Sequence, residues 1–571
     1  MARNTELAYR LRRQFQLQMR PAGYWIILVV VGLMVLFPIF AVLQIGFDTS
    51  QPGESTRYGL SNWVSGWSSP LMGPALWNTL KILVVRSVIA FSLATFLAWL
   101  LTRTDLPFSG LLEFGFWVSF FMPTLAVIQG WMFLLEGQTG VLNIWFSALP
   151  FVDEGPFEIF SFWGIIWTHL MSNNITALVI LLSLNFRQMD SSLEDAGRVA
   201  GSTPLGTLRR VTIPIMRPIF AMLVVLTIIR GFQSFEIEWL LGTPPRIDVF
   251  GTLLITFIRD DDPNFGAASA LAAGMMMTLV PLILFHRMYL GRRQYTTVSS
   301  KMTLKKLTLG RWRWAAFGGV FTLILMLTVV PFVAMVFGSF MTRWGFFGLE
   351  PAYTLEHWRT ALGDPTFLGS LWSTLILGVI AAFVSVIVLF SISYMLVRVR
   401  FAGTPALDFI SWLPWAIPGV LLSFGILIMV LNVPALRTFH GSMFSLVMAI
   451  VIFRLPLGVQ LFKTGLMQVN RELEEASQIT GAKWWYTQWR IVLPLLTPML
   501  IAVALLTFIS ALNEVSGIIL LASVETRTLS LLTLDLVFNG EREAAAVITT
   551  FIVLMGVGMA LLGRRLGFRL G

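Results

Sequence analysis

The chain has 571 residues, 56% of them hydrophobic and 12% charged, with a formal net charge of +10. Soluble domains carry roughly a quarter charged residues, so this composition excludes an ordinary soluble enzyme and describes a chain solvated largely by lipid. Cysteine is absent and the four histidines, His169, His286, His357 and His440, are scattered, which excludes disulfides, thiolate metal sites and any metal cluster legible from spacing.

Arg3, Arg10, Arg12, Arg13 and Arg20 precede the first apolar run, at 24–46. That run exceeds the ~7–15-residue core of a secretory signal, and no small-residue cleavage site follows before Pro52, so a retained first helix with a cytoplasmic N-terminus is expected. Further runs, each near the ~20 residues that cross a bilayer, fall at 78–102, 111–135, 160–185, 214–236 and 267–290, then at 314–340, 369–397, 406–432, 442–466, 498–522 and 544–563. The pattern predicts an all-α polytopic membrane protein of about twelve helices. The excess of basic residues is no nucleic-acid footprint, because they sit in short connections between apolar runs. Arg103, Arg187, Arg198, Arg209, Arg210, Arg398, Arg400, Lys483, Arg490, Arg564, Arg565 and Arg569 mark one side. Asp153, Glu154, Glu158, Asp248, Asp260, Asp261, Asp262, Glu350, Glu356 and Asp364 mark the other. The Lys/Arg bias places both termini in the cytoplasm.

Residues 287–313 hold eight basic residues and no acid, which divides the chain into a basic tail (1–23), a first six-helix unit (24–290), a linker (291–313) and a second unit (314–571). The units repeat. Leu193-Glu194-Asp195-Ala196, Gly201 and Arg210-Val211-Thr212-Ile213-Pro214 through Pro218 match Leu473-Glu474-Glu475-Ala476, Gly481 and Arg490-Ile491-Val492-Leu493-Pro494 through Pro498, all 280 positions apart. Trp77-Asn78-Thr79-Leu80, Arg103 and Pro123 match Trp372-Ser373-Thr374-Leu375, Arg398 and Pro418 at a separation of 295. Two six-helix units in the same orientation predict a parallel repeat about an axis along the membrane normal. Pro123 and Pro418 are expected to kink the third helix of each unit.

The repeated block precedes the fifth helix of each unit. Acids at its start suit a helix N-terminus, and Gly201 and Gly481 permit a turn of positive φ, so a short helix, a turn and a second helix along the membrane surface are expected. Read alone, this is an amphipathic connector.

Leu473-Glu474-Glu475-Ala476-Ser477, Gly481 and Ile491-Val492-Leu493-Pro494 resemble the EAA loop of ABC importer permeases, the coupling helix that docks on the ATPase. The first copy departs with Asp195 for the second Glu, Gly197 for the small residue, and Val211-Thr212-Ile213-Pro214 at its end. The resemblance implies a type I permease fold and ATPase-coupling roles for Glu194, Asp195, Ala196, Gly201, Pro214, Glu474, Glu475, Ala476, Gly481 and Pro494. It also implies two ATPase subunits on the cytoplasmic side, a substrate-binding protein on the outer side, and a bacterial cytoplasmic membrane as the location. No G-x-x-x-x-G-K-[ST] phosphate loop occurs. ATP and Mg would therefore be used by the partner, and no cofactor or catalytic role is expected of this chain.

Ionisable and amide residues at membrane depth usually face a cavity or a partner. Arg86, Asn173, Asn174, Arg230, Gln233, Glu236, Glu238, Arg454, Asn513 and Glu514 are such residues. Gln233, Glu236, Asn513 and Glu514, on or beside the two fifth helices, are the expected lining of a translocation path, with interhelical hydrogen bonding as the alternative. Arg86 and Arg454 fit pairing or snorkelling better, and Met275-Met276-Met277 fits core packing. Loops 242–266 and 517–543 are expected to face the outer partner. Phe235-Glu236-Ile237-Glu238, Leu241-Gly242-Thr243-Pro244, Arg246-Ile247-Asp248-Val249-Phe250 and Tyr295-Thr296-Thr297-Val298 look most like ferric-iron members of the family, with thiamine, polyamine and phosphonate permeases as alternatives. A gradient-driven secondary transporter would leave the paired blocks unexplained, and a lipid-acting enzyme would need clustered catalytic groups that the sequence does not offer.

Overall fold

The computed structural model describes residues 21–50, 55–151, 154–189, 192–259, 262–291, 306–399 and 401–565. Arg3 to Arg20, Asp153, Asp260, Asp261, most of the basic linker with Tyr295 to Val298, Arg400 and Arg569 lie outside the described residues. Lipid offers the backbone no hydrogen-bond partners, so the apolar runs close their own ladders as helices. Among the described residues there are no named strands, and isolated bridges occur only at connections. One such bridge, with Leu307 accepting from the Asp105 amide and donating to the Arg103 carbonyl, fastens the end of the linker to the first half.

Spans 1 to 6 are Pro21–Phe47, Met72–Arg103, a bent pair Ser109–Phe120 and Thr124–Leu135, then Phe162–Arg187, Leu208–Phe232 and Phe265–Gly291. Spans 7 to 12 are Trp312–Ser339, Pro365–Arg398, a bent pair Thr404–Ala416 and Gly419–Asn432, then Met443–Gln468, a bent pair Trp484–Leu495 and Thr497–Asn513, and Arg542–Arg565. The chain is thus an all-α polytopic membrane protein.

Spans 3 and 9 were expected as kinked helices, but they are breaks: their arms meet at 96° and 115°. Pro123 and Pro418 adopt extended backbone (ψ 134° and 144°) immediately before the second arm. Each therefore ends one helix and starts another, which a proline lacking its N–H and clashing with the preceding turn favours over continuation. Span 5 starts earlier than expected, at Leu208, and stops at Phe232, leaving Glu236 in a separate short helix, Glu236–Gly242. The loops expected to face outward also hold apolar helices, Phe250–Arg259 and Leu529–Phe538, which bury Leu253, Leu254, Leu529 and Leu534 and leave residues 243–246 exposed.

The two halves exchange their first spans. Span 1 packs against span 6 of its own half and against Gly419–Asn432 of the other, while the end of span 7, Val329–Ser339, packs against span 12 and against Thr124–Leu135. The seam is tight at equivalent glycines 295 positions apart. A Cβ on Gly130 would lie 2.1 Å from the Pro331 carbonyl oxygen, and one on Gly425 would lie 2.5 Å from that of Pro38. Each contact sits where a proline in the incoming span stands against a small residue, as close helix packing in lipid requires. Gln129 donating to Thr549 (2.7 Å) and Arg542 pairing with Glu136 (2.6 Å) add polar links across the halves.

Gly130→Val and Gly425→Val should each destabilise the protein by about 1–3 kcal/mol or more, the cost of overpacking a site that backbone closes off. The readout is a lowered unfolding temperature and loss of a monodisperse peak in detergent. Gly369→Ala, with nothing within 4 Å of the added carbon, should leave both unchanged.

Candidate functional site

Between spans 4 and 5 the chain forms Ser192–Val199, a turn, a short helix at Pro204–Thr207, and a π-helical turn at Leu208–Thr212 that runs into span 5. Between spans 10 and 11 it repeats the order with Arg471–Ile479, Trp484–Thr487 and Gln488–Val492. Gly201 and Gly481 turn the chain with φ of +84° and +85°, the left-handed conformation that only glycine adopts without strain. Pro214 and Pro494 follow the π-helical turns, each at the second residue of the helical segment that continues the chain. Asn470 caps the helix Arg471–Ile479 by accepting from the Glu472 amide at 3.1 Å.

Glu194 and Glu474, two of the residues expected to have ATPase-coupling roles, are buried at 3% and 4% exposure. Arg398 at the end of span 8 places Nε 2.7 Å from Glu474 Oε1, and donates through an Nη to the carbonyls of Leu466 (3.0 Å) and Val469 (2.7 Å). Arg103 at the end of span 2 repeats this, with Nε 3.6 Å from Glu194 Oε2 and an Nη donating to Phe186 (2.7 Å) and Met189 (2.9 Å). Those four carbonyls lie in or just past the last turn, where a helix C-terminus runs short of intrahelical donors; Phe186 has in addition only the Met189 amide, at 3.3 Å. One guanidinium therefore caps the preceding span and grips the first turn of the short helix that follows. A hydroxyl completes each junction: Thr212 donates to Glu194 at 2.8 Å, and Tyr394 to Glu474 at 2.8 Å.

With the first acids turned inward, the outward face belongs to other residues. Glu475 is half exposed and pairs with Arg471 at 3.1 Å, one turn away. Ala476 is exposed, and Ala196 is exposed as well. Val199 and Ile479, two residues before each glycine, are 91% and 71% exposed. Sequence reading missed these two, although their 280-residue spacing was visible. The second copy adds exposed Trp485, Tyr486 and Trp489, where the first has Leu205, Gly206 and Arg209.

The polar residues at membrane depth separate into two groups. Arg86, His169, Glu238 and Ser234 form a buried network inside the first half: Arg86 Nη1 lies 2.9 Å from His169 Nδ1, His169 Nε2 lies 2.7 Å from Glu238 Oε1, and Ser234 donates to the Glu238 carboxylate at 2.8 Å. Asn174 donates to the His169 carbonyl at 2.8 Å. The second group lies where the halves meet. Gln233 donates to the carbonyls of Trp415 (2.8 Å) and Ile417 (3.2 Å), which the break at Pro418 leaves free; it thus splints the opposite half instead of standing free in a path. Arg454 bonds to Ser510 and lies within electrostatic reach of Glu514 and Arg230, and Glu236 lies within reach of Glu514. Glu514 accepts from Ser516 Oγ (3.0 Å) and the Gly517 amide (2.9 Å). The Asn513 Oδ1 is buried without a partner among the described residues. Met275 and Met276 are core residues, and Met277 faces outward.

Glu474→Gln leaves the Arg398 charge buried and unpaired, at a cost of about 3 kcal/mol, the lower end for a broken buried pair because the two carbonyls remain as acceptors. Hydrogen exchange across residues 471–481 should speed up in that variant and stay unchanged in Glu475→Gln, whose carboxylate is exposed.

Residues 375–571 match the family model for the binding-protein-dependent transport system inner membrane component. The chain is similar to the ferric transport system permease protein FbpB of Actinobacillus pleuropneumoniae, at 26% identity over 67% of this chain and 55% of that one. It is also 26% identical to the putative ferric transport system permease protein FbpB 1 of Haemophilus influenzae, over 69% of this chain and 62% of that one. The alignments thus span less than two thirds of these two relatives' lengths. A probable ABC transporter permease protein, y4fN of Sinorhizobium fredii, aligns at 25% identity over 93% of this chain and 94% of its own. The apolar helices make the chain a multi-pass membrane protein, and its residues 375–571 and these matches make it similar to the permeases of ABC importers.

Proposed function

We propose that this chain is a fused double permease, two six-span domains at 24–290 and 314–571. In a bacterial cytoplasmic membrane it carries a small solute, ferric iron by our reading, from an outer binding protein into the cytoplasm. Its termini and both coupling segments face the cytoplasm, where two copies of a separate ATPase bind and use ATP and Mg. The single observation that carries this reading is the pair of equivalent coupling helices, each gripped from within by a buried arginine and each presenting an exposed apolar residue beside a glycine turn. An apolar side chain left bare on a short polar helix suits insertion into a cleft of a partner.

The physics of coupling follows from the junction. Closure of the ATPase pair moves the coupling helix, and the buried Arg–Glu contact passes that displacement to spans 2 and 4, or 8 and 10, as a rigid unit. The exchanged first spans make each half carry a helix of the other, so the halves rock about that seam while the space between them opens to alternate sides. The iron assignment rests on the printed names of the two ferric relatives; thiamine, polyamines and phosphonates are its competitors.

Val199→Asp combined with Ile479→Asp should leave insertion and unfolding temperature intact while abolishing co-purification with the ATPase and stimulation of its activity. Glu475→Arg with Asp195→Arg should weaken association in the same direction. Normal association in both double variants would reject the docking role. Uptake of labelled iron should stop in a deletion strain and on ATP depletion. Unchanged iron uptake in the deletion, with loss of thiamine, polyamine or aminophosphonate uptake, would reassign the substrate, and transport that survives without ATP would reject the importer.

A further inference from the structure

The path between the halves carries its charges in a particular arrangement. Counting by the 280-residue repeat, Arg230 corresponds to Ser510, Asn174 to Arg454, Glu236 to Ser516 and Ser234 to Glu514. Arg454 bonds to Ser510, the counterpart of Arg230, and is within electrostatic reach of Arg230 itself. The two guanidinium groups, one from each half, thus lie within electrostatic reach of each other near the level of residues 230 and 510. Glu236 and Glu514 lie further along the chain, past the ends of spans 5 and 11, and form a second tier.

Arg230 is exposed even though it lies in the last turn of span 5, and it makes no hydrogen bond or ion pair with a described residue. Arg454 is half-buried and keeps Nε buried without an acceptor. A guanidinium at membrane depth is costly unless something answers its charge, and the amide oxygen of Asn513 nearby along span 11 is also without a partner. Glu514 offsets part of the Arg454 charge but spends one carboxylate oxygen on Ser516 and Gly517. The arginine tier thus has donor capacity to spare, and its two guanidinium charges are answered only in part, by Glu514. A bare trivalent cation would be repelled there, whereas guanidinium groups match the paired oxygens of carboxylate and phosphate.

We propose that Arg230 and Arg454 form an oxyanion station in the translocation path, so that the cargo passes with carboxylate or phosphate oxygens facing these two side chains. The cargo is then either a free oxyanion or a hard metal cation still holding an anionic oxygen ligand, the cation meeting Glu236 and Glu514 while its ligand meets the arginines. This rests on the importer reading above and narrows its substrate class.

The test uses the full chain with its ATPase in lipid nanodiscs, titrated with inorganic phosphate alone, ferric iron with excess citrate, and citrate alone. Wild type should bind at least one of these probes, with about tenfold or greater weakening in Arg230→Gln and in Arg454→Gln, the loss expected when a charged hydrogen bond is removed. Arg230→Lys should retain part of the affinity, and Arg343→Gln, in a loop against Phe346, should change nothing. Binding of phosphate or citrate alone identifies the free oxyanion as cargo, and binding only with iron and citrate together identifies the chelate. No binding by wild type, or equal binding by the Arg230→Gln Arg454→Gln double variant, overturns the station. The two readings fail separately: iron uptake with unchanged KM and kcat in the double variant rejects the station and keeps the importer. Oxyanion binding lost in the double variant, with no iron uptake by wild type, keeps the station and rejects iron.

Discussion

A single guanidinium at the end of the second span of each half fixes how that half can work. Span 4 or 10 ends in carbonyls with no helical partner, and the next element is a short helix that begins with a carboxylate. Arg103 and Arg398 answer both needs with one side chain, donating to the carbonyls and pairing with the acid. Both charges are out of water, so the pair contributes less to net stability than its geometry suggests, and its removal costs more. Its value is positional. The short helix cannot swing independently of the spans to which it is tied.

The second constraint is the seam between halves. Lipid gives helices no hydrophobic reason to associate, so close backbone approach and shared hydrogen bonds must hold the two halves together. Gly130 against Pro331 and Gly425 against Pro38 provide the first, and Gln233 across the break at Pro418 provides part of the second. Fusion through the linker makes the exchange of first spans intramolecular, and the contact of Leu307 with Arg103 and Asp105 brings the linker end to the same junction that holds the first coupling helix.

How much of this was legible in sequence depended on the range of the interaction. Twelve apolar runs, the repeat and the two glycine turns are local patterns, and they predicted the all-α membrane fold and the positions of Gly201 and Gly481. The breaks in spans 3 and 9 were underestimated because hydropathy is blind to direction: an apolar run interrupted by Pro123 reads the same whether the chain bends slightly or turns through 96°. The buried junction was missed for another reason. Arg103 and Arg398 belong to the part of the repeat spaced by 295, and Glu194 and Glu474 to the part spaced by 280, because the first half carries a longer connection between spans 3 and 4. Residues in different registers did not advertise themselves as partners, and the arginines were read only as topological charges. Gln233 and Asn513 share a register, yet only Gln233 finds broken-span carbonyls to bond, so equal spacing did not mean equal roles.

The symmetry is therefore selective, and the selection follows function. In the two repeated segments the arginine, the glutamate, the capped carbonyls, the glycine turn and the exposed apolar tip are all doubled, as docking of two like partners would require. At the centre the charges are not: each of Arg230, Arg454, Glu236 and Glu514 corresponds in the repeat to an uncharged residue of the other half. A symmetric ring of four arginines would carry a surplus of charge that neither lipid nor a single small solute could answer. Placing each charge once lets guanidinium groups from both halves converge on one cargo while the carboxylates sit one tier away. If the halves rock as proposed, the separation of Arg230 and Arg454, one in each half, changes with them, and a ligand bridging the pair would be held in one state and released in the other, turning a displacement at a distant surface into a change in affinity.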